Sequence, residues 1–266
     1  MLTSYTIRGW EAASLIAFAY SAITAAFLRR GVASGVRLRA LGASIAGLAI
    51  ATASILAPAN VVLHGWLLPP VLLFLFYWTT GLLFVAPMPA VEKVFVQIDT
   101  DLHIRKLSSH TPAWLVEILE FAYAGVFGLI PIALALHLSF ATAPDAERFW
   151  LVILATDFVC FGMLPWIQSR PPRALEPGDP WRSSLRSFNL RVLGAASIQV
   201  NTFPSGHAAE ALAAALLVAA LSPWILGVMM LAALAVAGGA VLGRYHYAID
   251  AFAGWFVALA VWMLLG

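Results

Sequence analysis

Charge is scarce in this sequence. Only 11% of its 266 residues are Asp, Glu, Lys or Arg, where a soluble domain carries about 25%. Hydrophobic residues reach 62% and the mean hydropathy is +0.90. So few charges cannot cover a water-facing surface, which excludes a soluble globular enzyme, and a chain this apolar does not stay disordered. Cysteine is scarcer still. Cys160 stands alone in an apolar run, which excludes an intrachain disulfide framework and a multi-cysteine metal site. The net charge of +2 is too small to point to a polyanionic partner, and no nucleic acid is expected. No internal repeat stands out. Nor does a short apolar leader with a small-residue cleavage site open the chain; its first apolar run is long enough to span a bilayer.

What the sequence does contain is a series of apolar runs of the length a bilayer requires, about 20 residues. They predict an all-α fold, a polytopic transmembrane helical bundle of about eight spans with interfacial amphipathic helices. The spans are expected at 10–28, 40–57, 61–85 (kinked at Pro69-Pro70), 114–138, 149–167 and 247–265. Two more fall within 207–242, because one helix through that region would be about 54 Å long, well beyond a hydrocarbon core of about 30 Å. The break is expected at Ser222-Pro223.

Two polar stretches interrupt this pattern. In 87–112, Val91, Phe95, Ile98 and Leu102 recur at helical spacing with charged residues on other faces, as in a helix lying in the interface. In 168–203, Trp181, Leu185, Phe188 and Val192 form a second stripe, edged by Arg182, Arg186 and Asn189. The arginine-rich 182–191 stretch reads as a contact for anionic lipid. Trp10, Trp66, Trp150, Trp166 and Trp181 lie near span ends and read as interface anchors.

Positive charge is lopsided. Of the 15 Lys and Arg, only Arg8 and Arg148 fall on one face. The other face takes the loops 29–39, 87–112, 168–206 and 243–246, including Arg29, Arg30, Arg37 and Arg39. By the positive-inside rule that face is cytoplasmic and both termini lie outside.

That same face gathers the candidate chemistry: Pro204-Ser205-Gly206-His207, the segment from Arg244 to Asp250, and the run from Arg170 to Arg173. Two imidazoles, a carboxylate and several guanidiniums at helix starts suit a phosphate. Guanidiniums clamp its oxygens, helix N-termini offer free N–H groups and imidazole titrates near neutrality. His246 and Asp250 are i and i+4, so they share a helix face. The carboxylate can orient one ring nitrogen and leave the other free to attack phosphorus, as in a serine-protease triad. His207 comes from another helix and could protonate the departing oxygen. Arg170, Arg173 and Arg244 are candidate phosphate ligands, with Ser205 and Gly206.

These motifs resemble the type-2 phosphatidic acid phosphatase superfamily. Pro204-Ser205-Gly206-His207 is similar to its second signature, His246-x3-Asp250 to the end of its third, and Arg170-Pro171 to the end of its first. Arg-Tyr-His-Tyr-Ala-Ile-Asp over 244–250 and Arg-Pro-Pro-Arg over 170–173 look closest to the branch of inositol phosphorylceramide synthases. The resemblance covers about residues 90–266, which divides the chain into N-terminal transmembrane helices, 1–89, and a catalytic membrane domain, 90–266. It implies that His246 is a nucleophile forming a phosphohistidine, that Asp250 is its partner, that His207 is the general acid, and that neither cofactor nor metal is required. The family's first-motif lysine position is Met163 here, and its third-motif Ser-Arg positions are Gly239 and Ala240.

The function expected is a lipid phosphatase acting on a lipid phosphate or diphosphate. Transfer of the head group to an alcohol, and a non-catalytic transporter with a histidine proton or anion site, are the alternatives. The expected partners are the bilayer and the lipid substrate, with no obligate protein partner. The expected location is the inner (cell) membrane of a bacterium. The charge count places the site on its cytoplasmic side and the family resemblance on its periplasmic side. His64, His103, His110 and His137 are assigned to no metal. Glu117, Glu120, Asp157 and Glu210 fall within or near apolar spans, where ionisable groups are functional candidates by default; Glu210 is the candidate to tune His207, and Asp157 is read as locking helices together.

Overall fold

Runs of apolar residues without charge leave the backbone one way to satisfy its hydrogen bonds in lipid, the α-helix. The computed structural model is all-helical among the described residues, 6–28, 31–142, 145–178 and 181–266. The basic pair Arg29 and Arg30 lies outside them. The helices are α1 (Gly9–Ile23, continued by a π turn, Thr24–Leu28), α2 (Ser34–Leu56), α3 (Leu68–Gly81), α4 (Pro89–Asp101), α5 (Ile104–Ser109), α6 (Ala113–Phe140), α7 (Ala146–Gly162), α8 (Pro172–Leu175), α9 (Ser184–Ala196), α10 (Gly206–Leu217), α11 (Pro223–Leu242) and α12 (Ala248–Leu265).

Among the described residues, five helices are long and apolar enough to cross a membrane: Gly9–Phe27, Ser34–Leu56, Ala113–Phe140, Pro223–Leu242 and Ala248–Leu265. The other three expected spans hold shorter helices. These are α3 with 14 residues, α7 with 17 and α10 with 12. The Pro69-Pro70 break takes the form of a π turn, Leu63–Leu67, handing over to α3. The break at Ser222-Pro223 is real: Ser222 caps α11 and Pro223 occupies its first turn.

One cluster of buried apolar side chains runs through Phe18 of α1, Ala51 of α2, Leu72 and Phe76 of α3, Ile153 of α7 and Ala214 of α10. Small residues set the spacing of the last three helices. Gly254 of α12 abuts the Ser205 carbonyl at the start of α10, and a Cβ there would collide with it. This contact brings the His207 and His246 ends of those helices together.

The interfacial helices turn their charges inward, contrary to the expected pattern. Along α4 the buried face carries Glu92, Phe95 and Asp99, while Val94, Val96 and Leu102 are exposed. Along α9, Arg186 and Asn189 are buried, and Phe188 and Val192 face out. Arg186 is therefore not a lipid contact. It donates to Glu120 Oε1 of α6 at 3.0 Å and to the Gly243 carbonyl at 2.7 Å. The physical reason is that each buried charge has a paired partner, and water-free pairing leaves the apolar edge for the bilayer. Three of the expected tryptophan anchors are also internal: Trp10, Trp150 and Trp181 are buried, with Trp150 Nε1 donating to the Gly65 carbonyl at 2.6 Å.

Candidate active site

His207 occupies the first turn of α10. Its N-cap, Ser205, is wholly buried, and its Oγ accepts from the Ala208 amide at 3.4 Å. That hydroxyl is spent on the helix rather than facing a ligand. Gly206 is needed because a Cβ would strike the Phe161 ring. Among the described residues no acceptor meets the amides of Gly206 and His207, so the N-terminus of α10 keeps the free donors an anion requires.

His246 arrives on the turn between α11 and α12. Arg244 holds a positive φ of 60° there. Its guanidinium is locked by Asp99 Oδ2 at 2.7 Å and by Glu176. Asp99 also accepts from the Ala248 amide at 2.9 Å, so α4 grips the first residue of α12. Burial opposes the Arg244 charge, but the hydrogen bonds from Glu176 and Asp99 outweigh it and leave the pKa above its ordinary value. The imidazole and carboxylate then stand one turn apart, with His246 Nδ1 3.4 Å from Asp250 Oδ2. Asp250 Oδ2 accepts from the Tyr247 amide at 2.8 Å, and Oδ1 meets no partner among the described residues.

The two rings face each other across one cavity. Their centroids are 6.5 Å apart and inclined by 52°, and both rings line the cavity with Arg173, Thr202 and Tyr245. In-line transfer places phosphorus about 3–3.5 Å from one nitrogen and the leaving oxygen about 2.6–3.2 Å from the other, so both rings must border one cavity, as they do.

The three candidate arginines separate sharply. Arg170 forms a fork with Glu92 (Nε to Oε1 2.9 Å, Nη2 to Oε2 2.7 Å) and does not line the cavity. The hydrogen bond from Arg170 holds the Glu92 carboxyl below the usual carboxylate range. Arg244 is neutralised as described and lines a neighbouring surface pocket instead. Arg173 alone lines the histidine cavity, and it pairs with no carboxylate among the described residues. Its Nη1 donates to the Tyr245 carbonyl at 3.3 Å, and its guanidinium lies 5.4 Å from the Tyr245 ring centroid. Burial pulls its pKa below the ordinary guanidinium value.

Sequence reasoning missed the aromatic column behind these groups. Tyr123 of α6 stacks on Tyr245 at 4.1 Å and lies 5.4 Å from His207. Tyr245 in turn donates to Glu120 at 2.7 Å. Its position beside His246 was the only available signal. The positions of the two missing third-motif residues serve packing here: a Cβ at Gly239 would lie 2.5 Å from the Leu119 carbonyl oxygen, and Ala240 is buried, whereas Met163 is exposed. Among the described residues no three His, Cys, Asp or Glu side chains group as a metal site would require.

The model of the PAP2 superfamily matches residues 90–264, which takes in every motif of this cavity. The chain belongs to the PAP2 superfamily. No curated protein and no solved structure matches it. Membership supports an enzyme of the phosphatase or phosphotransferase type, set in the membrane by its apolar helices.

Proposed function

We propose that this PAP2 superfamily protein is a metal-independent lipid phosphatase that passes the phosphoryl group of a lipid phosphate or diphosphate through a phosphohistidine. The observation that carries the reading is the facing pair His207 and His246 around a cavity lined by Arg173, which pairs with no carboxylate among the described residues. Arg173 and the amides of Gly206 and His207 hold the phosphate oxygens. Asp250 orients His246 through Nδ1, and Nε2 attacks phosphorus in line. As the P–N bond forms, the bond to the lipid oxygen breaks and His207 gives that oxygen a proton. Water, losing a proton to His207, then attacks the phosphohistidine. The P–N bond breaks, inorganic phosphate leaves and both imidazoles are restored.

A second reading has a specific observation behind it. The surface pocket of Glu176, Arg186 and Arg244 shares Arg173 with the cavity, and a polar alcohol seated there would compete with water for the phosphohistidine. Such transfer is the reaction of the inositol phosphorylceramide synthase branch that the 170–173 and 244–250 wording resembles.

In this reading α1, α2, α3, α6, α7, α10, α11 and α12 make eight crossings of a bacterial inner membrane. The first three lie outside the catalytic domain 90–266, and the bilayer and the lipid substrate are the partners. Charge asymmetry favours a cytoplasmic site, and cysteine labelling of the 168–206 loop from either side decides it. The chemistry is tested by phosphate release from phosphatidic acid and isoprenyl diphosphate, with protein in detergent and EDTA. Wild-type protein should turn over, and His246→Ala should be slower by at least about 10³-fold. Retained activity in the variant overturns the assignment.

A further inference from the structure

A second cavity lies beneath the histidine cavity, between α3 and α6, and the two share Leu73, Phe74, Phe127 and Glu210. Its walls are otherwise apolar, from Pro70 and Ile130 to Trp66 and Trp150 at its far end. Phe74 and Phe127 approach to 6.0 Å between ring centroids at the level where the cavities meet. Phe127 also sets its ring edge-on to His207 at 5.2 Å, so one side chain touches the catalytic imidazole and the boundary together. Trp78 and Phe127, which line the histidine cavity, are half-exposed, so that cavity reaches the bundle surface beside α3 and α6. The helix backbone is loosened at the same place. Pro131 lies inside α6 and has no N–H to return to the Phe127 carbonyl, one turn earlier.

We propose that the hydrocarbon chain of the substrate lies in this crevice, passing alongside the Phe74–Phe127 pair and ending against Trp66 and Trp150. The proposal rests on the reading of the histidine cavity as a phosphate site. Charge complementarity commits it to an amphiphile: an anionic head fits Arg173 and the free amides above, and a tail without charge fits the walls below. It also gives the first three helices a task. Leu73, Phe74 and Trp78 belong to α3, outside the segment that matches the family, so the substrate site is completed by the N-terminal part of the chain.

The test is photolabelling of the full chain in detergent by hexadecyl phosphate carrying a diazirine at mid-chain, with the cross-linked residues mapped by mass spectrometry. Cross-links are expected on α3 and α6 at 73–74 and 127–130, suppressed by excess hexadecyl phosphate and not by hexadecanol. Leu73→Trp and Ile130→Trp fill the crevice from opposite walls, and each should lower that labelling by about tenfold. Labels confined to outward helix faces, equal suppression by hexadecanol, or labelling unchanged in both tryptophan variants would each overturn the proposal. His246→Ala separates the two readings: it should stop turnover and leave the crevice labelled. If wild-type protein turns over no lipid phosphate, the phosphatase reading fails while the labelling pattern still decides the crevice.

Discussion

The polar face and the helix bundle beneath it are held together by opposite means. On the face, charges meet across long sequence distances: Arg170 with Glu92, Arg244 with Asp99 and Glu176, Arg186 with Glu120. In the bundle, α10, α11 and α12 carry almost no polar groups at their contacts and approach through alanine and glycine. The first region specifies direction, because a guanidinium fork fits one carboxylate geometry. The second specifies distance, because a missing Cβ permits close approach and nothing more. The groups proposed to be catalytic sit at the junction: the bundle sets how far His207 is from His246, and the charge network sets how the His246 turn is aimed.

Removing one partner from the charge network should have the largest effect on stability. Glu120 accepts from Arg186, Asn189 and Tyr245, so Glu120→Ala takes one acceptor from three buried side chains at once. The expected cost is about 3–5 kcal/mol, read as a fall in the detergent-state unfolding midpoint. An unchanged midpoint would show that the network carries no directional role. The bundle is probed by Gly254→Val, which pushes α12 away from Ser205. Overpacking of this kind costs about 1–3 kcal/mol, and turnover should fall with the midpoint because the two imidazoles separate. Stability lost with full turnover would break the link between helix spacing and catalysis.

Two smaller effects sharpen the contrast among the arginines. Arg173→Ala should lower kcat/KM for a lipid phosphate by about 10- to 150-fold, the worth of a charge-assisted hydrogen bond of about 1.5–3 kcal/mol, with little change in the midpoint. Arg170→Ala should do the reverse, shifting the midpoint slightly and turnover less. The Glu92–Arg170 pair also has a pH signature. Glu92 is held below its ordinary value in the folded chain, so its contribution is fully present above the unfolded carboxyl pKa and is lost as pH falls through the lower, folded one. Arg170 is half-exposed, which keeps the effect small. Midpoints of wild type and Glu92→Gln measured from pH 6 to pH 3 should converge at the acid end; parallel curves would contradict the pairing.

How much of this could be read from the sequence follows from the same contrast. Apolar runs and the i, i+4 spacing of His246 and Asp250 are local, and a string of residues displays them. The five long helices fall where the runs do. Pairings such as Asp99 with Arg244, 145 positions apart, leave no local mark. A periodicity analysis therefore puts Glu92, Asp99 and Arg186 outside, where unpaired charges belong, when their partners draw them in. For the same reason three arginines looked alike in the chain, and only the fold shows that two of them already hold carboxylates.

The central claim is a covalent bond between His246 and phosphorus. Rapid quench of the detergent-solubilised protein with a lipid phosphate carrying labelled phosphorus, followed by digestion and mapping, measures that bond directly. The account predicts label that is stable to alkali and labile to acid on the peptide containing residue 246, and none in His246→Ala. Turnover without such label, or label on any other side chain, would contradict it.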